Sequence, residues 1–186
     1  MRVISGLAKG RKLVAPPGLS IRPTADRTKE TIFNILAANI GGSAFLDLFS
    51  GTGAIGIEAL SRGAAKAVFV ENSEGSTQVI WQNIRHTKLE AGARVLHMHF
   101  ADAIKQLKEE NYLFDIIFMD PPYARHFIAD ALDATLRLGI LSEGGCVVIE
   151  QSAKEPLPVC EELSLVFGKR YKTTALFVLR KMEGTI

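Results

Sequence analysis

Phe45-Leu46-Asp47-Leu48-Phe49-Ser50-Gly51-Thr52-Gly53-Ala54-Ile55-Gly56-Ile57-Glu58-Ala59 reads as a short hydrophobic strand, a glycine-rich turn and the start of a helix. Glycines at such a turn let backbone N–H groups approach a ligand, and the helix that follows points its partly positive end at the same spot. Gly51-Thr52-Gly53-Ala54-Ile55-Gly56 also matches the Gly-x-Gly-x-x-Gly pattern of dinucleotide sites. Asp47, four residues before the first glycine, opposes that reading. A carboxylate there repels a pyrophosphate and attracts a cationic amino acid.

Outward from this unit, strand-like runs near 44–49, 67–71, 94–100, 114–120 and 145–150 alternate with helical stretches near 53–62, 73–87, 103–109 and 126–138. Such alternation predicts an α/β fold with a mainly parallel sheet and helices on both faces. Residues 164–171 and 173–180, separated by Lys172, read as an antiparallel C-terminal β-hairpin. At the other end, Val3–Ser5 and Lys12–Ala15 suggest a small hairpin around Ala8-Lys9-Gly10, ended by Pro16-Pro17-Gly18. A helix capped by Thr24 or Asp26 is expected to run to about Ile40, where Gly41-Gly42 stops it.

The ends of these strands carry the chemistry. Ala67-Val68-Phe69-Val70 finishes in Glu71, an acid placed to hydrogen-bond both hydroxyls of a ribose. After the run 94–100 comes Ala101-Asp102-Ala103, where a carboxylate and a backbone N–H can read an adenine edge. Phe114-Asp115-Ile116-Ile117-Phe118-Met119 stops abruptly at Asp120-Pro121-Pro122-Tyr123, because proline donates nothing to a ladder and restricts the residue before it. That turn brings together a carboxylate, a carbonyl and an aromatic ring, which suits a flat base bearing an amino group. These positions describe a pocket for adenine, ribose and a charged amino-acid tail, beside a second site for a nucleobase.

In order and spacing, Asp47-Leu-Phe-Ser-Gly-Thr-Gly, Glu71, Asp102 and Asp120-Pro-Pro-Tyr resemble S-adenosylmethionine-dependent methyltransferases that modify exocyclic amino groups. With Val3-Ile4-Ser5-Gly6, Gly10-Arg11-Lys12-Leu13 and the stretch from Ile21-Arg22-Pro23-Thr24 to Leu36, the chain resembles the bacterial RsmD family from about residue 2 to about residue 181. The resemblance implies a Rossmann-like class I methyltransferase fold and transfer of a methyl group to N2 of a guanine in 16S ribosomal RNA. It implies a cofactor, S-adenosylmethionine, held by Asp47, Phe49, Gly51, Gly53, Glu71, Asn72, Asp102, Ala103 and Asp120. Catalysis then falls to Asp120 and the carbonyl of Pro121, with Tyr123 stacking on the base. An assembled or assembling small subunit is the implied substrate. An N6-adenine methyltransferase acting on DNA or another RNA would share Asp-Pro-Pro-Tyr and stands as the alternative, although the 43 residues before the core leave little room for a target-reading domain.

Charge agrees with a polyanionic partner. The chain is +2 overall, yet residues 1–29 hold Arg2, Lys9, Arg11, Lys12, Arg22, Arg27 and Lys29 against Asp26 alone, a local +6 that leaves −4 for the rest. These seven cations read as RNA-phosphate contacts. The expected organisation is a basic RNA-binding extension, 1–43, and a cofactor-binding core, 44–186, within one compact domain. Cys146 and Cys160 are too few and too separated for a disulfide framework or a zinc site, and no metal is implied. His86, His97, His99 and His126 lack ligand spacing and read as structural. No signal-peptide core or membrane-length apolar run is present, so a cytoplasmic protein is expected, with nothing demanding more than a monomer.

Overall fold

The computed structural model describes residues 1–15, 24–122 and 127–182. Its centre is a seven-stranded sheet in the order β3-β2-β1-β4-β5-β7-β6. The strands are β1 (Ala44–Asp47), β2 (Lys66–Glu71), β3 (Ala93–His97), β4 (Phe114–Met119), β5 (Leu141–Ser152), β6 (Leu163–Arg170) and β7 (Thr174–Lys181). The first five pair in parallel, while β7 runs antiparallel to both β5 and β6. The expected alternation and C-terminal hairpin are therefore present.

Parallel strands buried on both faces are apolar at nearly every position, because successive side chains point to opposite layers. Leu46, Val68, Val70, Ile117, Met119, Val147 and Ile149 face one layer, packed with Ile104 and Leu107 of α4 (Phe100–Glu109) and Leu132 of α5 (Phe127–Arg137). Phe45, Phe69, Ile116, Phe118 and Val148 face the other, against α1 (Thr24–Ile35), α2 (Ala54–Ser61) and α3 (Glu74–Thr87). Val3, Ala8 and Leu13 join this second layer, so the N-terminal segment is part of the core.

Several boundaries differ from the expectation. The N-terminal hairpin is present but short: Arg2 and Lys12 form an antiparallel bridge, flanked by Val3 N–H donating to the Arg11 carbonyl (3.0 Å) and Leu13 N–H to the Met1 carbonyl (3.0 Å). The loop at its tip packs on α2: Leu7 N–H donates to the Ser61 carbonyl (2.8 Å) and Ala8 N–H to Ser61 Oγ (2.9 Å). Gly6 has φ +83°, and a Cβ there would lie 1.7 Å from the Ser61 carbonyl oxygen, so only glycine permits this approach. Helix α1 ends at Ile35 rather than near Ile40; the chain then tightens, with Asn39 N–H donating to the Leu36 carbonyl (2.8 Å), and Leu36 and Ile40 still reach the core. Helix α4 begins at Phe100, three residues earlier than expected, because His99 caps it. The turn between β6 and β7 spans Tyr171–Thr173, closed by Tyr171 N–H to the Thr174 carbonyl (2.7 Å).

Candidate active site

Strand β1 sits where the connections change direction, with β2 on one side and β4 on the other, the position at which open α/β sheets bind ligands. Here the chain makes its glycine turn. Gly51 and Gly53 have φ of +53° and +75°, and Gly53 begins α2. Gly56 serves packing: a Cβ there would stand 2.3 Å from the Phe69 ring, so glycine lets α2 lie close on β2.

Asp47 ends β1 and is buried. Its Oδ2 accepts from Gly56 N–H (3.1 Å), one of the unpaired donors in the first turn of α2, while Oδ1 has no hydrogen-bond partner among the described residues. Burial raises its pKa to about 7; the nearby Glu71 pushes the same way, against the Gly56 amide and Ser50. Glu71 ends β2 half-buried, and its two oxygens accept from Gly51 N–H (2.9 Å) and Ser73 N–H (2.8 Å). This acid braces the glycine turn from the neighbouring strand. Each oxygen retains a second lone pair for a hydroxyl.

Asp47, Gly51 and Glu71 line a cavity of about 550 Å³ that also takes in Asp120, Pro121 and Pro122 after β4. The carboxyl ends of five strands thus meet in one space, with Glu150 of β5 as the fourth acid. One wall is aromatic: Phe49 lies 5.2 Å from Phe100 and 6.3 Å from Phe127 between ring centroids, and His99 lies 4.4 Å from Phe100. The opposite wall belongs to the N-terminal segment and α1, through Met1, Ala15, Thr28 and Lys29.

Of the residues expected at the cofactor, Asp47, Phe49, Gly51, Glu71, Asn72 and Asp120 share this cavity, and Gly53 shapes the turn beneath it. Asp102 and Ala103 are not brought there. The early start of α4 puts Asp102 on its exposed first turn, with Oδ1 3.6 Å from Lys105 Nζ, and commits both backbone N–H groups to the His99 carbonyl. Ala103 is fully buried in the core. Met98, His99 and Phe100 line the cavity in their place. A strand running into His97-Met98-His99-Phe100 was the available signal, since the residues just past a parallel strand's carboxyl end lie at the site.

The basic segment divides. Arg2, Lys9, Lys12 and Arg27 are exposed, Arg2 with Nε 3.9 Å from Asp26. Arg11 is half-buried and donates from Nη1 to the His86 carbonyl (2.5 Å). Lys29 is no surface phosphate contact. Its side chain is 2% exposed, with Nζ 3.3 Å from Glu58 Oε2 and donating to the Arg2 carbonyl (2.5 Å). Burial lowers its pKa, and Glu58 works against that to hold the charge. Arg22 and Tyr123 lie outside the described residues.

The family model described as Conserved hypothetical protein 95 matches residues 1–180. The Bacillus subtilis protein YlbH, provisionally described as an rRNA methyltransferase, is 35% identical over 97% of this chain and 99% of its own. Ribosomal RNA small subunit methyltransferase D of Escherichia coli is 36% identical over 85% of this chain and 78% of its own. Among solved structures, the E. coli protein yhhF, provisionally described as a methyltransferase, superposes with a TM-score of 0.89 at 32% identity, covering 99% of both chains.

Proposed function

The chain belongs to the family described as Conserved hypothetical protein 95, the RsmD family, and from that membership we propose that it is an rRNA methyltransferase using S-adenosylmethionine. The finer reading is transfer to the N2 amine of a guanine in 16S ribosomal RNA of the small subunit. The observation that carries it is the cavity shared by the Asp120-Pro121 turn and the Asp47–Gly51–Glu71 cluster, which puts an amine-holding group and a cofactor site in one space.

The residues fit the cofactor. An orphaned buried carboxylate oxygen on Asp47 matches a cationic amino-acid tail, Glu71 matches a ribose, and the Phe49–Phe100–Phe127 wall matches a flat ring. When bound, S-adenosylmethionine supplies a methyl group on a sulfonium, already strongly electrophilic. Activation therefore falls on the amine, whose lone pair is delocalised into the guanine ring. Asp120 and the Pro121 carbonyl accept its two N–H groups, orient it and favour a more tetrahedral nitrogen. Asp120 is also the acceptor at hand for the proton that the nitrogen sheds. Tyr123 is the proposed stacking surface for a base taken out of its helix.

Around that base, Arg2, Lys9, Lys12 and Arg27 are the proposed phosphate contacts, with the substrate an assembled or assembling subunit and the setting the cytoplasm. Among the described residues no helix is long and apolar enough to cross a membrane. The test incubates the protein with methyl-labelled S-adenosylmethionine and small subunits from a strain lacking the gene, then analyses the nucleosides. N2-methylguanosine is expected. N6-methyladenosine would transfer the assignment to adenine, and no label in RNA would overturn it.

A further inference from the structure

An amine holder alone does not choose a base, since adenine and guanine both carry an exocyclic NH2. Beside that amine the two differ: guanine presents N1–H, a donor, and adenine presents N1 as an acceptor. The cavity contains a further carboxylate on the strand next to the Asp120 turn, Glu150 of β5. Met119, the last residue of β4, pairs with Ile149 of β5, so Asp120 just past the end of β4 follows beside Glu150 of β5, and adjacent strands are about 4.8 Å apart. Phe118 and Val148 both face the layer that holds α1 and the N-terminal segment, and side chains alternate, so Asp120 and Glu150 continue that same row. Both line the cavity, as do Thr28 and Lys29.

We propose that Glu150 determines the specificity for guanine, its carboxylate accepting N1–H while Asp120 and the Pro121 carbonyl hold the N2 amine. This rests on the reaction assigned above. An ionised carboxylate only accepts, so two in a row match the donor–donor edge of guanine, and they oppose adenine by setting Glu150 against the N1 lone pair. Both acids also interact with other protein groups, and a carboxylate with about four lone-pair sites keeps acceptors for the base.

The test uses small subunits rebuilt with the mapped target guanine replaced by 2-aminopurine, which keeps the amine but has an unprotonated N1. Wild-type protein should methylate 2-aminopurine about 10- to 100-fold more slowly than guanine, the range for one hydrogen bond to a charged group. Glu150→Gln should slow transfer to guanine and speed transfer to 2-aminopurine, because its carboxamide N–H donates to that N1. The preference should collapse. Glu150→Asp, which keeps the acceptor, should retain it, and if the Gln variant does not fold, Glu150→Ala carries the same comparison by losing the preference. Wild-type indifference between the two bases, or an unchanged ratio in the variants, overturns the role of Glu150 while leaving guanine methylation standing. Absence of N2-methylguanosine from native subunits instead overturns the assigned reaction and this inference with it.

Discussion

Glu58 and Asp47 are both buried carboxylates, eleven residues apart in the same strand–turn–helix unit, yet their surroundings are opposite. Glu58 is saturated by the protein. Its oxygens accept from Ile4 N–H (2.8 Å), Ser5 N–H (3.0 Å) and Arg62 Nε (2.7 Å), with Lys29 Nζ at 3.3 Å. Asp47 receives one amide and keeps an orphan oxygen beside the cavity. A buried charge whose partners all come from its own chain is architecture, and here it fastens the N-terminal segment and α1 to α2. One with an orphan oxygen carries an unmet acceptor at some expense to stability, and it is the acid proposed for the cofactor's cationic tail.

The largest effect should come from breaking the saturated site. Glu58→Ala leaves Lys29 buried without its counter-ion and two amides unsatisfied, and should destabilise the fold by about 3–5 kcal/mol in urea denaturation. Pairing Glu58→Gln with Lys29→Met should recover part of this, because both charges leave together. Little loss in Glu58→Ala would mean that the network is ornamental.

Asp47→Asn should do the reverse. Cofactor affinity should fall about 100-fold by calorimetry, as when one partner of a buried charge pair is removed. At pH 8 the same variant should melt higher than wild type. The sign follows from the raised pKa: the folded carboxyl binds its proton more tightly than the unfolded one, so protonation stabilises the fold fully below 3.8, and that stability is lost as pH rises to about 7. Asparagine carries no such loss. A lower melting temperature at pH 8 would remove Asp47 from the ligand-ready class.

Proton linkage sharpens the contrast further. Cofactor binding that needs ionised Asp47 should weaken about tenfold for each pH unit below 7 in wild type, and the slope should vanish in Asp47→Asn. A flat profile in wild type between pH 5.5 and 7 would contradict it.

The smallest effect concerns the cations, which divide as the acids do. Lys12→Ala, at an exposed position, should reduce the salt dependence of subunit binding by roughly 0.7–0.9 in log–log slope with stability unchanged. Lys29→Ala should lower stability instead. Equal behaviour of the two would erase the distinction between charge for RNA and charge for the core.

Much of this molecule was legible along the chain. Strand runs, the glycine turn and the Asp-Pro-Pro stop act within a few residues, through side-chain period, positive φ and the missing proline donor, so β1, β2, β4 and the acids at their ends emerge without a structure. Where a boundary depends on a distant partner, the reading slipped. The N-terminal hairpin was expected from local pattern and is present, but shorter than expected, because Glu58 and Ser61, more than fifty residues away, take the amides of Ile4, Ser5 and Ala8. Helix α4 was expected late, which carried Asp102 and Ala103 into a site they do not reach and left His99 and Phe100 outside one they line.

By itself the sequence determined the alternating parallel architecture, the family and the strand-end acids Asp47, Glu71 and Asp120, because each is written in spacing and in residues whose conformational limits are intrinsic. Only the tertiary structure decided which charges are satisfied: that Lys29 serves Glu58, that Asp47 keeps an orphan oxygen and that Glu150 stands beside Asp120. Burial and hydrogen-bond partnership belong to pairs of groups far apart in the chain. Their free energy depends on the solvent and neighbours that packing leaves at each atom, a quantity no single residue carries.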